Sequence, residues 1–397
     1  MKIAFLTAGG IAPCLSSSIG ALIDQYAKRE PEAKMIGYLN GYRGLLLGNS
    51  IDFPESVKNN FSALYEFGGS PIGNSRVKLT NIQDCIDRRY VSEGETPLKV
   101  AADQLKKDNI DILHTIGGDD TNTMAAQLSN YLKENNYDLT VVGLPKTVDN
   151  DVFPITQTLG AWTAADQGAI FFENIINENT TSTRQLIIHE VMGRNCGWLT
   201  AQTALEYRKI LDNKIFMPEL LVSRDKWDID AIYIPEMDFD FKSEADRLQK
   251  IMDEKDGVNI FLSEGAGLDA IIREMESNGE SIPRDAFGHV KLDEINPGQW
   301  FAKRFSSALN AEKTLVQKSG YFARSAKSNE KDLNLIKDSA KLAVDFSLVQ
   351  KSGVIGKDMD ENDNLTLIDF NRIKGGKSFD HSLGWFDEIL KDIGQKE

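Results

Sequence analysis

Short runs of β-branched and other apolar residues recur along the chain between longer amphipathic stretches. The runs at 2–7, 111–116, 140–144, 185–191 and 258–263 are apolar without a two-residue alternation, which predicts strands covered on both faces. Each ends in a glycine, a turn or a polar cluster, and in most cases a helical pattern follows. Strand alternating with helix predicts an α/β architecture with mainly parallel sheets, whose ligands sit outside the carboxyl ends of the strands. The segment 174–183, rich in Asn and Thr, reads as a helix end and connector that divides the domains. Residues 270–309 mix helix signals with Pro283 and Pro297 and read as an inserted excursion.

The chain has 397 residues, for which two domains are the natural expectation. Hydrophobic residues at 41% and charged residues at 26% are those of a globular protein and exclude disorder. No stretch approaches the ~18 uninterrupted apolar residues of a spanning helix. The opening MKIAFLTAGG has too short an apolar run for a signal peptide and reads as a buried first strand. Cys14, Cys85 and Cys196 lie far apart with no CxxC pair, which fits packed thiols in a reducing cytoplasm. A net charge of −15 excludes nucleic acid as a general partner. It does not exclude phosphate ligands, for which backbone N–H groups, a few cations and a metal suffice.

The candidate chemistry gathers after the predicted strands. Gly9 and Gly10 follow the first, where glycine lets backbone approach an anion, and a helix beginning among Ser16–Ser18 is expected to offer N–H groups. After the second comes Gly117-Gly118-Asp119-Asp120-Thr121, adjacent carboxylates suited to a hard cation such as magnesium. After the third comes Pro145-Lys146-Thr147-Val148-Asp149-Asn150-Asp151, combining a proton acceptor, a second carboxylate and a cation. Glu190-Val191-Met192-Gly193-Arg194 ends the fourth, and His189-Glu190 has no second histidine at zinc-protease spacing. Glu264 ends the fifth, and Lys318-Ser319-Gly320-Tyr321-Phe322-Ala323-Arg324 is a basic, aromatic turn suited to a sugar phosphate. His114, His289 and His381 read as structural or solvent-facing. Arg372–Lys377 (RIKGGK) lacks the spacing of a phosphate loop.

Taken in order, these segments resemble the phosphofructokinase family over most of the chain, most specifically in GGDD, PKTVDND and EVMGR. Asp120 and Lys146 resemble the pyrophosphate-using branch, since ATP users typically read GGDG and PGT there. The run from Phe67 (FGGSPIGNSR) through KLTN is similar to the same branch. The resemblance implies two Rossmann-like three-layer domains: 1–160 with about 325–372 for the donor, and about 161–324 with the C-terminal tail for the sugar phosphate. The active site is then expected in the cleft between them. It implies Mg2+-dependent transfer of phosphate from pyrophosphate to fructose 6-phosphate by a cytoplasmic enzyme, expected as a homodimer without membrane or nucleic-acid partners.

Residue roles follow from the same resemblance. Asp119 would hold the metal, and Gly9 and Gly10 the donor phosphates. Asp149 would be the general base, with Asp120, Lys146 and Arg76 acting on the donor and the transferring group. Thr147, Val148, Asp151, Met192, Gly193, Arg194, Glu264, Tyr321, Phe322, Ala323 and Arg324 would bind the substrate. Three positions depart from the family pattern. Pro13 is followed by Cys14 rather than Gly. Arg184 stands one place out of register with an arginine that, in the family, usually reaches the 6-phosphate from a neighbouring subunit. A second such arginine has no counterpart, Lys313 or Lys318 being the replacements. The alternatives are an ATP-dependent sugar kinase, against which Asp120 and Lys146 stand, and an NAD kinase, which has no reason to carry PKTVDND, MGR and GYFAR together. A non-catalytic sugar-phosphate binder would be expected to lose Asp119, Asp149 or Asp151.

Overall fold

The computed structural model describes residues 1–284 and 290–395. The chain divides into two units, Met1–Thr163 with Arg324–Lys377, and Ala164–Ala323 with Ser378–Glu397.

Continuous apolar runs become central strands in the first unit because both of their faces are covered. β1 (Lys2–Thr7) lies between β2 (Lys34–Tyr38) and β4 (Ile112–Gly117), and β4 pairs in turn with β5 (Thr140–Pro145). Antiparallel β3 (Ser50–Asp52) and β11 (Asn364–Ile368) close the edges, with β10 (Gly353–Asp358) next to β5. Among the described residues this sheet has seven strands, in the order β11-β10-β5-β4-β1-β2-β3. Ala4 and Leu6 face a core shared with helices Tyr42–Leu47, Pro97–Lys107 and Asp119–Glu134. Phe5 points the other way, toward Tyr26 and His114, where helices Leu15–Arg29 and Glu330–Leu348 pack. The result is three layers.

The helix after β1 starts at Leu15, and Ser16, Ser17 and Ser18 are buried within it rather than presenting amides to a ligand. Ser16 donates to Leu64 O at 2.7 Å, and Ser17 shares a 2.9 Å hydrogen bond with Ser328. The serines therefore tie the helix to distant segments. Asp332, fully buried in the first turn of Glu330–Leu348, accepts hydrogen bonds from Gly160 N at 3.1 Å and from Thr163 N and Oγ1 at 2.7 and 2.6 Å. A buried carboxylate is tolerable only when satisfied in this way, and here it fastens the returning chain to the end of the first segment.

The second unit holds, among the described residues, a four-stranded parallel sheet in the order β7-β8-β6-β9. Its strands are β6 (Gln185–Val191), β7 (Ala231–Tyr233), β8 (Gly257–Ser263) and β9 (Lys313–Lys318). Ile187, Ile232 and Phe261 face helices Ala161–Ile175, Trp198–Asp212 and Gly384–Asp392. Leu186, Ile188, Ile260 and Leu262 face helices Phe241–Lys255 and Pro297–Ala308. Residues 297–308 are thus core, with Phe301 and Phe305 fully buried, and not an excursion. The chain passes between units after Thr163, inside helix Ala161–Ile175, so 174–183 lies within the second unit and divides nothing. Arg184 is bound within its own unit, donating to Leu309 O at 2.6 Å, Asn310 O at 2.9 Å and Asp253 at 2.8 Å. That network takes up its guanidinium. His289 lies outside the described residues. Among those residues no helix is long and apolar enough to cross a membrane.

Two histidines are buried completely. His114 shares a 2.7 Å hydrogen bond with Tyr26 Oη. His189 is packed among Phe171, Phe172 and Phe261, and neither of its ring nitrogens has a hydrogen-bond partner among the described residues. Burial pushes both imidazoles down to about 3. The unfolded chain, near 6.5, then takes up protons first as pH falls, so stability present above pH 6.5 is lost below it. Each histidine is expected to cost about 2 kcal/mol at pH 5 relative to pH 8. His189→Phe, which fills the same aromatic site without titrating, should flatten the fall of the unfolding midpoint between pH 6.5 and 5. An unchanged slope in thermal denaturation would show that folding does not hold His189 neutral.

Candidate active site

In the first unit the chain leaves β1 toward β2 on one side and later returns as β4 on the other. This order reversal opens a crevice at the carboxyl ends of β1 and β4, the place where open α/β sheets bind ligands. Gly9 and Gly10 line one side of it. Gly9 takes a left-handed φ of +86°, and Lys146 Nζ stands 3.3 Å from where a β-carbon would be. Ala8 N donates to Ile116 O at 3.0 Å and Gly9 N to Ser75 O at 2.9 Å, and Asn74 Nδ2 holds Gly9 O at 2.6 Å. Lys146 Nζ donates to Gly10 O at 2.6 Å. The position of a β-carbon on Gly10 is 3.8 Å from Arg76. Gly9, Gly10, Arg76 and Lys146 thus come together from three separate segments.

Asp119 and Asp120 open helix Asp119–Glu134, whose N-cap Gly118 supplies no side-chain bond. Its first turn therefore presents a positive dipole end and uncapped amides to the crevice. Asp120 is largely exposed and pairs with Lys78 at 2.7 Å. Lys78 was not identified from the sequence, although it stands in the KLTN run.

The loop after β5 is held by Asn150, a buried residue with a left-handed φ of +55°. Its side chain donates to Thr156 O at 2.9 Å and accepts from Thr158 N at 2.9 Å. Asn tolerates that backbone and bonds locally, the one sequence signal that could have marked it as the loop's anchor. The same loop presents Thr147 Oγ1, which donates to Asp151 Oδ1 at 3.1 Å and accepts from Asp149 N at 3.1 Å. Val148 is buried and packs. Burial pulls the Lys146 ammonium down, and the charges of Asp149 and Asp151 work against that. Asp151 is pushed up, first by burial and next by the charge of Asp119, against Thr147 and Lys377. Asp119, Asp149, Asp151 and Lys146 therefore form one charge cluster.

A further segment reaches this cluster. Residues 372–377, dismissed from the sequence for lack of phosphate-loop spacing, cross over the loop after β5. Lys377 N donates to Asp151 O at 3.0 Å, Lys377 Nζ donates to Ile155 O at 2.6 Å, and Gly375 abuts the carboxylate of Asp119.

In the second unit β6 is central, and three loops leave the same sheet end side by side. Met192, Gly193 and Arg194 follow β6, and Glu264 follows β8 with its N–H on Val191 O at 2.9 Å. Ser263 Oγ donates to Gly193 O at 2.5 Å. Gly265 and Gly320 allow close backbone approach to Arg194 and Met192. The segment after β9 is a short helix, Gly320–Arg324, and not a turn. Tyr321 and Phe322 are exposed, Phe322 lying 5.7 Å from the Phe171 ring, while Ala323 is buried. Arg324, the last residue of that helix, is counted with the first unit. Glu190 is buried, accepts from Gly298 N at 3.0 Å and pairs with Lys318 at 2.8 Å, tying β6, β9 and helix Pro297–Ala308 together.

A family model described as phosphofructokinase matches residues 2–347. The chain is 57% identical over 396 residues to the pyrophosphate–fructose 6-phosphate 1-phosphotransferase of Methylotuvimicrobium alcaliphilum, covering 100% of this chain and 97% of that one. It is 58% identical over 394 residues to the enzyme of the same name from Methylomonas methanica, covering 99% and 96%. Among solved structures, a pyrophosphate-dependent phosphofructokinase from Nitrosospira multiformis gives a TM-score of 0.71 at 18% identity, covering 100% of this chain and 92% of that one. That last likeness is one of fold. With GGDD and PKTVDND at adjoining strand ends of one sheet and MGR at the centre of the other, the chain belongs to the phosphofructokinase family.

Proposed function

We propose that the chain transfers a phosphoryl group, reversibly, from pyrophosphate to the 1-hydroxyl of fructose 6-phosphate. The observation that carries the choice of donor is Lys146, buried against the glycine turn and facing Asp149 and Asp151, with Asp120 at the adjoining helix head. The close full-length relatives named for this reaction support it.

Phosphoryl transfer asks a protein for alignment and charge neutralisation more than for covalent work. The sugar 1-oxygen attacks the terminal phosphorus, the bond to the bridging oxygen breaks, and the other phosphate leaves. Asp149 takes the hydroxyl proton, held in place by its amide on Thr147 Oγ1. Lys146 and Arg76 neutralise charge on the donor, with Gly9 and Gly10 admitting its oxygens to the backbone. Met192, Gly193, Arg194 and Glu264 hold the sugar, and Tyr321 with Arg324 its 6-phosphate.

Magnesium fits the oxygen donors present. Asp119 and Asp151 are hard ligands near enough to repel one another, and magnesium takes one or two carboxylates together with phosphate oxygens. Among the described residues no group of three or more His, Cys, Asp or Glu gathers into a protein-only cage. Asp119 would hold the ion, which when bound supplies positive charge to the donor phosphates.

Asp149→Ser is expected to lower kcat by roughly 10²–10⁴-fold with little change in either KM. Steady-state kinetics giving near-wild-type turnover would remove Asp149 from the mechanism.

Donor choice gives a second test. A carboxylate at Asp120 adds bulk and like charge where the rest of a nucleotide would pass, and pyrophosphate ends short of that point. Asp120→Gly should raise kcat/KM for ATP relative to pyrophosphate. Lys146→Met, which keeps volume and removes charge, should depress pyrophosphate use selectively. The double variant should depart from additivity, as neighbours sharing a ligand do. An unmutated protein that used ATP as well as pyrophosphate would end this account.

A further inference from the structure

The family match ends at residue 347, and the chain continues past it. After β10 and β11 it forms a strap, residues 372–377, fastened at several points. Arg372 forks onto the buried carboxylate of Asp358 at 2.5 and 2.7 Å and reaches Asp360 at 2.5 Å. Ile373 packs with Val152, Ile155, Val354 and Ile368. Lys374 exchanges backbone hydrogen bonds of 2.7 and 2.9 Å with Phe153, and Lys377 closes the far end on Asp151 O and Ile155 O. Gly375 lies between these fastenings, where a β-carbon would stand 2.0 Å from Asp119 Oδ2, 2.8 Å from its Cγ and 3.2 Å from its Cβ.

The two glycines of the strap are not equivalent. Gly376 has a φ of +78° and open space around it, so the turn itself requires glycine there. Gly375 has no left-handed backbone, and the three atoms nearest to where a side chain would begin all belong to Asp119. The Cβ of Asp119 is fixed by the first helical turn, so its carboxylate can yield only by rotating away from its present direction.

We infer that the strap is a positioning element for the metal-holding carboxylate, with Gly375 setting the direction of Asp119 by contact. The inference rests on Asp119 as the ligand, and extends that reading to a segment outside the family match. Groups that orient metal-binding carboxylates typically change metal affinity about 10–100-fold when altered. A glycine backbone pressed on the carboxylate does this by shape, where a hydrogen-bonding side chain would do it by direction.

The test is manganese(II) binding to the full-length protein without substrates, followed by water-proton relaxation, alongside thermal unfolding. Gly375→Ala should weaken manganese binding about 10–100-fold while unfolding like the wild type. It should raise the magnesium concentration needed for half-maximal rate and leave the KM for fructose 6-phosphate unchanged, which a general loss of structure would not do. Ile373→Ala, which loosens the strap without changing charge, should weaken manganese binding by a smaller factor. Wild-type manganese affinity in folded Gly375→Ala overturns the inference. Should that variant not fold, wild-type affinity in Ile373→Ala overturns it. Asp119→Asn separates the two levels, because wild-type affinity there overturns the assignment of the metal to Asp119, whatever the strap does.

Discussion

Like charge held at close range is the constraint around which the first unit is arranged. Asp119 and Asp151 stand at the ends of neighbouring strands, near enough that the charge of one pushes the other up, in a place where burial already opposes ionisation. Left alone, such a pair would protonate or spread apart. The surroundings instead supply a helix head at Asp119, a hydroxyl from Thr147, and the charges of Lys146 and Lys377. These come from three segments, the helix after β4, the loop after β5 and the strap, which are thereby tied to one electrostatic problem. Local cations only moderate the repulsion, since Asp151 stays pushed up in their presence.

The same arrangement explains how the charge of −15 coexists with anionic ligands. Most of that charge lies on surface carboxylates that water screens, and several pair with exposed lysines or arginines within a helical turn. Lys146 is buried and is screened far less, so one ammonium there outweighs many at the surface. Net charge therefore says little about a phosphate site built on strand ends.

The five strands predicted from uninterrupted apolar runs form within about one residue of the expected bounds, because burial on both faces leaves an unambiguous pattern. Four of the missed strands lack that pattern: β9 is only half-buried, β7 has three residues, edge strand β3 is exposed and edge strand β11 is half-buried. β2 and β10 are mostly buried but short, and each carries a lysine and at least one glycine that break the apolar run. Motif residues were legible because each follows a legible strand. What stayed hidden depends on partners far away in sequence. Ser16 and Ser17 look like the open head of a helix until Leu64 and Ser328 are seen to take their hydroxyls. Arg184 looks available until the Leu309 and Asn310 carbonyls are placed against it. Gly375 is an unremarkable glycine until Asp119 stands beside it.

The two sheets meet the demand for precision in different ways. In the first, loop direction is set by side chains that bond to backbone, Asn150 and Asn74 above all. In the second, one such anchor, Ser263 Oγ on Gly193 O, is joined by backbone lying on neighbouring loops, with Gly265 against Arg194 and Gly320 against Met192. Side-chain anchors hold the loop that carries Lys146, Asp149 and Asp151 in a fixed charge environment. Backbone packing fixes the shape of the loops after β6, β8 and β9 without adding charge. Glu190 is the exception in the second sheet. Its carboxylate is spent on Gly298 N and Lys318, so it braces β6, β9 and helix Pro297–Ala308 against one another.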